Sequence, residues 1–245
     1  MMDILTNGYY IPFLHAALFI ITNDIYLSSI IALKTYSANY FYWFSNHYSY
    51  LPNKQYNWVK QFIRFTDTGH IASFLYYFYP QTLPIAFNIH FVITFGYWGG
   101  RVAFKMKDSD QLELTTIDHS FEEMWTALVH GLPIVLLSNR ILHQDVCILY
   151  SDEYLQISYI WLYIWFFGIY LPWRYYTGDY VYNVISDFTD YKKIISFGAF
   201  IHMVIFLGHM IGYSLNEYAC TTIINPLLGQ STESVDCPIK LELFS

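Results

Sequence analysis

The sequence predicts an all-α fold, a polytopic membrane helix bundle of about six transmembrane helices, and three observations predict it. Hydrophobic residues make up 55% of the 245-residue chain and charged residues only 13%, about half of the roughly 25% usual in soluble domains. Mean hydropathy is +0.30. Apolar stretches approaching the ~20 helical residues that cross a bilayer recur along most of the chain, with no low-complexity linker to divide them.

The windows fall at about Tyr10 to Ile30, Gln61 to Tyr79, Leu83 to Phe104, Phe121 to Leu142, Gln156 to Tyr176 and Ile194 to Tyr213. The first carries Asn23 and Asp24 and lacks the basic, apolar, small-residue layout of a cleaved signal peptide, so it reads as a retained helix. Between the second and third, "YPQTLP" sets two prolines around a polar pair. Proline removes a backbone donor and clashes with the preceding turn, so this segment predicts a tight helical hairpin. Residues 1–219 read as one membrane domain. Residues 220–245, with "NPLLGQSTESVDCP", mix turn formers and polar residues and read as an irregular polar tail.

Charge orients the bundle. Lys34, Lys54, Lys60, Arg64, Arg101, Lys105, Lys107, Arg174, Lys192 and Lys193 gather near the loops after the first, third and fifth windows, and only Arg140 and Lys240 fall opposite. The positive-inside rule then places those loops in the cytosol and both termini on the other side. A net charge of -7 offers no basic surface for nucleic acid. Cys147, Cys220 and Cys237 form no CxxC pair, so neither a zinc module nor a disulfide scaffold is indicated.

Polar groups at membrane depth are costly and usually face a bundle interior. Six of the nine histidines lie in the windows: His15, His70, His90, His130, His202 and His209. Membrane iron enzymes use histidines three or four residues apart on one helix face. No two histidines here have that spacing, so no metal and no cofactor is expected. Taken singly, each histidine fits an interhelical hydrogen bond.

A hydroxyl nucleophile needs less, only a base at compatible depth. Thr66 and His130 meet that condition: both spans start on the basic side, and a rise of 1.5 Å per residue separates the two by only about 6 Å in depth. His70, four residues after Thr66, is a rival base on the same helix face. Asp67 could orient or repel. For Thr66 and Thr68 the plainer reading is helix capping or a bond to the preceding turn. The G-x-S-x-G elbow of soluble lipases is absent.

Taken in order, "FTDTGHIASFLYYF", "LPIAFNIHFVITFGYW", "MWTALVHGLPIVLL" and "YIWFFGIYLPWRYYTGDYVYNVISDF" resemble the androgen-induced-protein family of multi-span membrane proteins, as a divergent member. The last segment is the most telling, with Thr177, Gly178, Tyr180, Val181 and Tyr182 matching that family's Thr-Gly, aromatic, Val, Tyr pattern. The likeness runs from about Phe13 to Tyr213. It implies an intramembrane threonine hydrolase that cleaves fatty acid esters of hydroxy fatty acids, with a membrane lipid as its substrate and an endoplasmic reticulum or other internal membrane as its location. The nucleophile falls on Thr66, in "FT" where the family tends to have Leu-Thr, and the base on His130, in "VHGLP". Shifted registers would put Arg64 at the threonine and Pro133 at the histidine, and the chain would then have lost the chemistry. Keeping Tyr76 and Tyr77 in place favours Thr66 with His130. By the same resemblance an aromatic acyl site could draw on Phe74, Tyr77, Trp161 or Trp165. The other readings are a non-enzymatic membrane scaffold or lipid-binding protein, and a proton-coupled transporter, although the inverted halves of many transporters are not visible.

Overall fold

The computed structural model describes residues 10–47, 57–107, 116–143, 147–148 and 150–224, and the regular elements among them are helical. We number the long helices α1 (Ile11–Thr22), α2 (Ile25–His47), α3 (Phe65–Phe78), α4 (Leu83–Phe91, Val92–Gly96 and Tyr97–Phe104), α5 (Thr116–Leu142), α6 (Asp152–Tyr163, Ile164–Tyr170 and Leu171–Thr177) and α7 (Tyr191–Tyr218). The middle stretches of α4 and α6 are π-helical, and α7 runs on through a π-helical turn to Ile224. Three helices, Glu123–Leu142, Asp152–Thr177 and Tyr191–Thr222, are long and apolar enough to cross a membrane. Large apolar side chains such as Ile20, Val102, Val135 and Ile164 point outward, which suits a surface solvated by lipid.

The window at Tyr10 to Ile30 is not one helix, and the reason is the Asn23–Asp24 pair. Asn23 sits at a φ of 51° and its amide donates to Phe19 O, closing α1. Asparagine is among the few residues that visit this left-handed region routinely. Asp24 then caps the next helix, its Oδ1 accepting from the amides of Tyr26 and Leu27 at 2.8 and 3.1 Å. Arg140, near the end of α5, donates to the same carboxylate at 2.7 Å. The chain therefore turns back at the Arg140 end, and α1 and α2 form a hairpin. Ile11, at the start of α1, clusters with Trp125 and Val129 in the first half of α5, toward the basic end. The N-terminal helix thus begins on the side of the basic loops rather than opposite them. Lys34, expected near a loop, lies inside α2.

The hairpin at "YPQTLP" forms as its prolines dictate: a single tight turn at Pro80–Thr82, with Pro84 in the first turn of α4. Gly69 lets α3 and α4 approach closely, since a Cβ there would collide with Ile93 Cδ1 and sit 3.2 Å from His90 Cε1. At the end of α6, Gly178 adopts a φ of 70° and its amide donates to Arg174 O. Asp179 beside it forms a buried ion pair with Lys60, at 2.6 Å. That pair ties the turn before α3 to the turn after α6. The two cysteines that spacing left unassigned meet at the opposite end, where Cys147 and Cys220 form a disulfide across 73 residues. Cys237 and the tail beyond Ile224 lie outside the described residues.

Candidate functional site

Thr66 is the second residue of α3, and Arg64 before the helix is extended, at φ -66° and ψ 139°. The amides of Asp67 and Thr68 donate back to Arg64 O, and those of Phe65 and Thr66 have no backbone acceptor among the described residues, as expected in the first turn of a helix. Tryptophans of α6 hold this turn in place. Trp165 Nε1 donates to Ile63 O at 2.7 Å and Trp161 Nε1 to Thr68 Oγ1 at 3.2 Å. Thr68 Oγ1 itself donates to Phe65 O at 2.7 Å, the local back-bond expected of a helical threonine.

Thr66 does something else. Its Oγ1 lies 3.1 Å from His130 Nε2, and the two residues are 3% and 1% exposed. His130 Nδ1 is 2.7 Å from Thr126 O, one turn back on α5. A carbonyl oxygen can only accept, so Nδ1 carries the imidazole proton and Nε2 presents a lone pair. The Thr66 hydroxyl is then the donor to Nε2. This is the tautomer that a general base needs. The Tyr97 ring of α4 stacks on the imidazole with centroids 3.8 Å apart and planes 17° apart, and Thr94 Oγ1 donates to His130 O. The Arg101 guanidinium lies over the Tyr97 ring, 5.7 Å from its centroid.

The other histidines do not join this pair. His70 is buried on α3, with Nδ1 3.8 Å from Asp67 Oδ1, and no hydrogen bond links it to Thr66. His90 Nε2 sits 2.7 Å from Ser73 Oγ and 3.0 Å from Gly69 O. His15 reaches Ser29, His209 reaches Asn88, and His202 reaches Tyr163 OH at 2.7 Å. His15, His90, His202 and His209 thus bond across or along helices, whereas neither ring nitrogen of the buried His70 has a hydrogen-bond partner among the described residues. Among the described residues, no three His, Cys, Asp or Glu side chains are placed to hold a metal ion.

Thr66 and His130 border an apolar cavity of about 240 Å³ between α4, α6 and α7, larger than the roughly 150 Å³ cavities that admit benzene. Val92, Ile93 and Gly96 face it from the π-helical stretch of α4, and Trp165, Phe166 and Phe167 from that of α6. An extra residue per turn shifts the helix face locally, and such bulges recur at functional sites. Of the four aromatics expected to line an acyl site, only Trp165 does so. Trp161 is engaged with Thr68, Phe74 packs beside the core, and Tyr77 is turned outward. Tyr97, Tyr182 and Phe197 line the cavity instead. No periodicity marked Tyr97, since its role depends on α4 crossing α5 at His130.

No family model, curated protein or solved structure matches this chain.

Proposed function

We propose that this chain is an intramembrane lipid ester hydrolase in which Thr66 is the nucleophile and His130 the base. One observation carries the reading: a buried threonine hydroxyl donates to a histidine whose tautomer is set by a backbone carbonyl, at the edge of an apolar cavity. An aliphatic acyl chain fits that cavity, whereas a polar substrate finds few partners in its lining. Thr66 Oγ1 attacks the ester carbonyl as Nε2 takes its proton. The proton then passes to the leaving alcohol, an acyl-threonine remains, and water resolves it. The Thr66 amide, unused by the helix, is a donor available to the developing oxyanion. The resemblance to the androgen-induced-protein family points to the same residues.

In the bilayer, we read α2 through α7 as six passes and α1 as a helix of partial depth, its 12 residues spanning only about 18 Å. The end rich in lysine and arginine faces the cytosol, and the end with Arg140 and the Cys147–Cys220 disulfide faces an oxidising lumen, as in an endoplasmic reticulum or other internal membrane. A membrane lipid ester reaches the cavity laterally.

The test compares wild type, Thr66→Ala and His130→Ala in detergent, using a fluorophosphonate probe and a branched fatty-acid ester. Wild type is labelled and cleaves the ester, and each variant loses at least about a hundredfold in turnover at normal abundance. An inert wild type, or a Thr66→Ala variant as active as wild type, sinks the assignment and leaves a membrane protein that binds lipid without chemistry.

A further inference from the structure

The Thr66–His130 pair has a second side that the apolar cavity does not occupy. There lies a smaller space of about 20 Å³, bounded by Tyr36, Ser37, Arg64, Asp67, Thr126 and the pair itself. A single water needs about 10–15 Å³ and two to four polar partners, so this space has room for one water and little more. Asp67 provides the outstanding partner. Its Oδ1 is engaged twice, by Lys34 Nζ at 2.6 Å and Ser37 Oγ at 3.0 Å. Its Oδ2 is buried, on a residue 3% exposed, and has no hydrogen-bond partner among the described residues. A buried carboxylate oxygen without a donor is expensive, and nature usually supplies a water or ion at such a point.

We propose that this small space is the hydrolytic water site, with Asp67 as the residue that positions the water. The inference rests on the hydrolase reading above. Once Thr66 Oγ1 is acylated it no longer donates to His130, and Nε2 is free to accept. The water donates one hydrogen to Asp67 Oδ2 and the other to Nε2, which aims its lone pair at the acyl carbon. As the new C–O bond forms, Nε2 takes the second proton. The tetrahedral intermediate then collapses, the bond from carbon to Thr66 Oγ1 breaks, and the proton on Nε2 returns to Oγ1. The hydrogen that faced Asp67 leaves with the fatty acid. Asp67 transfers no proton, and Lys34 and Ser37 fix its orientation through Oδ1. The pair thereby works between two compartments, lipid on one side and one ordered water on the other.

The experiment separates acylation from deacylation with a nitrophenyl decanoate ester and the full chain in detergent. The burst of nitrophenolate reports acylation, the steady state reports deacylation, and intact mass reports acyl-protein. For Asp67→Asn the burst rate stays within about threefold of wild type, while the steady state falls at least about tenfold and a decanoyl adduct accumulates on the peptide containing Thr66. Ser37→Val, which fills the space without changing charge, shifts the same two phases in the same direction, and it carries the comparison if Asp67→Asn fails to fold. Burst and steady state falling together with no adduct, or a Ser37→Val variant like wild type, overturns the water site while leaving the hydrolase intact. A wild type no faster than Thr66→Ala fails the hydrolase reading itself.

Discussion

At the scale of single residues, α3 discriminates between two threonines two positions apart. Thr68 bonds to its own helix and to Trp161, whereas Thr66 reaches across to α5. The difference lies in direction around the helix: residues two apart do not share a face. In the proposed hydrolase the quality of the base rests on its neighbours. Thr126 O sets the tautomer and the Tyr97 ring holds the imidazole plane. A displacement of about 1 Å at a reacting group can reduce rate about a hundredfold. Tyr97→Leu, which removes the stack, therefore lowers kcat on the decanoate ester at least about tenfold with little change in KM. Tyr97→Phe, which keeps the ring, restores most of it. Equal losses in both variants would mean that the phenol hydroxyl, not the stack, matters.

At the scale of elements, the π-helical stretches of α4 and α6 decide the shape of the cavity. Gly96 ends the stretch in α4, and a Cβ there would stand 3.0 Å from Ile201 Cδ1 across the cavity wall. Gly96→Leu fills that space. Long-chain ester turnover falls about tenfold relative to an acetate ester of the same alcohol, since each excluded methylene forfeits about 0.8 kcal/mol of burial. Equal loss on both esters would show that the cavity does not take the acyl chain. The turn at Gly178 belongs to the same scale. Its Thr-Gly signal, conspicuous in the sequence, turns out to end α6, while Asp179 next to it pairs with Lys60 before α3. Those contacts position the segment carrying Val181 and Tyr182, and Tyr182 borders the cavity.

At the scale of the whole molecule, the charged groups gather toward two ends and the polar histidine contacts lie between them. Arg101 with Glu123 and Lys60 with Asp179 mark one end, and Arg140 with Asp24 the other. The Cys147–Cys220 disulfide joins the segment before α6 to the end of α7 at that second end. Closing a loop of this length stabilises a fold by about 2–4 kcal/mol in typical cases. The double variant Cys147→Ser, Cys220→Ser is thus expected to melt several degrees below wild type in detergent. Thiol alkylation before and after reduction, read by mass, checks that the linkage is present. An unchanged melting midpoint would mean that packing of α5, α6 and α7 alone holds that end.

The helical character of the chain and its helices long and apolar enough to cross a membrane were legible in its sequence, because composition and apolar run length depend on no contact. The helical hairpin at Pro80–Thr82 was equally legible, since proline acts through its own covalent geometry. The pairing of Thr66 with His130 was only half legible. Depth along two helices could be counted from the sequence, but rotation about each axis could not, and rotation decides whether Thr66 meets His130 or packs like Thr68. Tertiary structure alone decided the rest. Arg140, 116 residues away, anchors the turn that Asn23 and Asp24 make. Tyr97 stacks on His130, Asp67 Oδ1 meets Lys34 and Ser37, and Cys147 finds Cys220, because distant segments of the chain meet there. Such long-range neighbours leave no local pattern, since each depends on the packing angle between helices rather than on spacing within one.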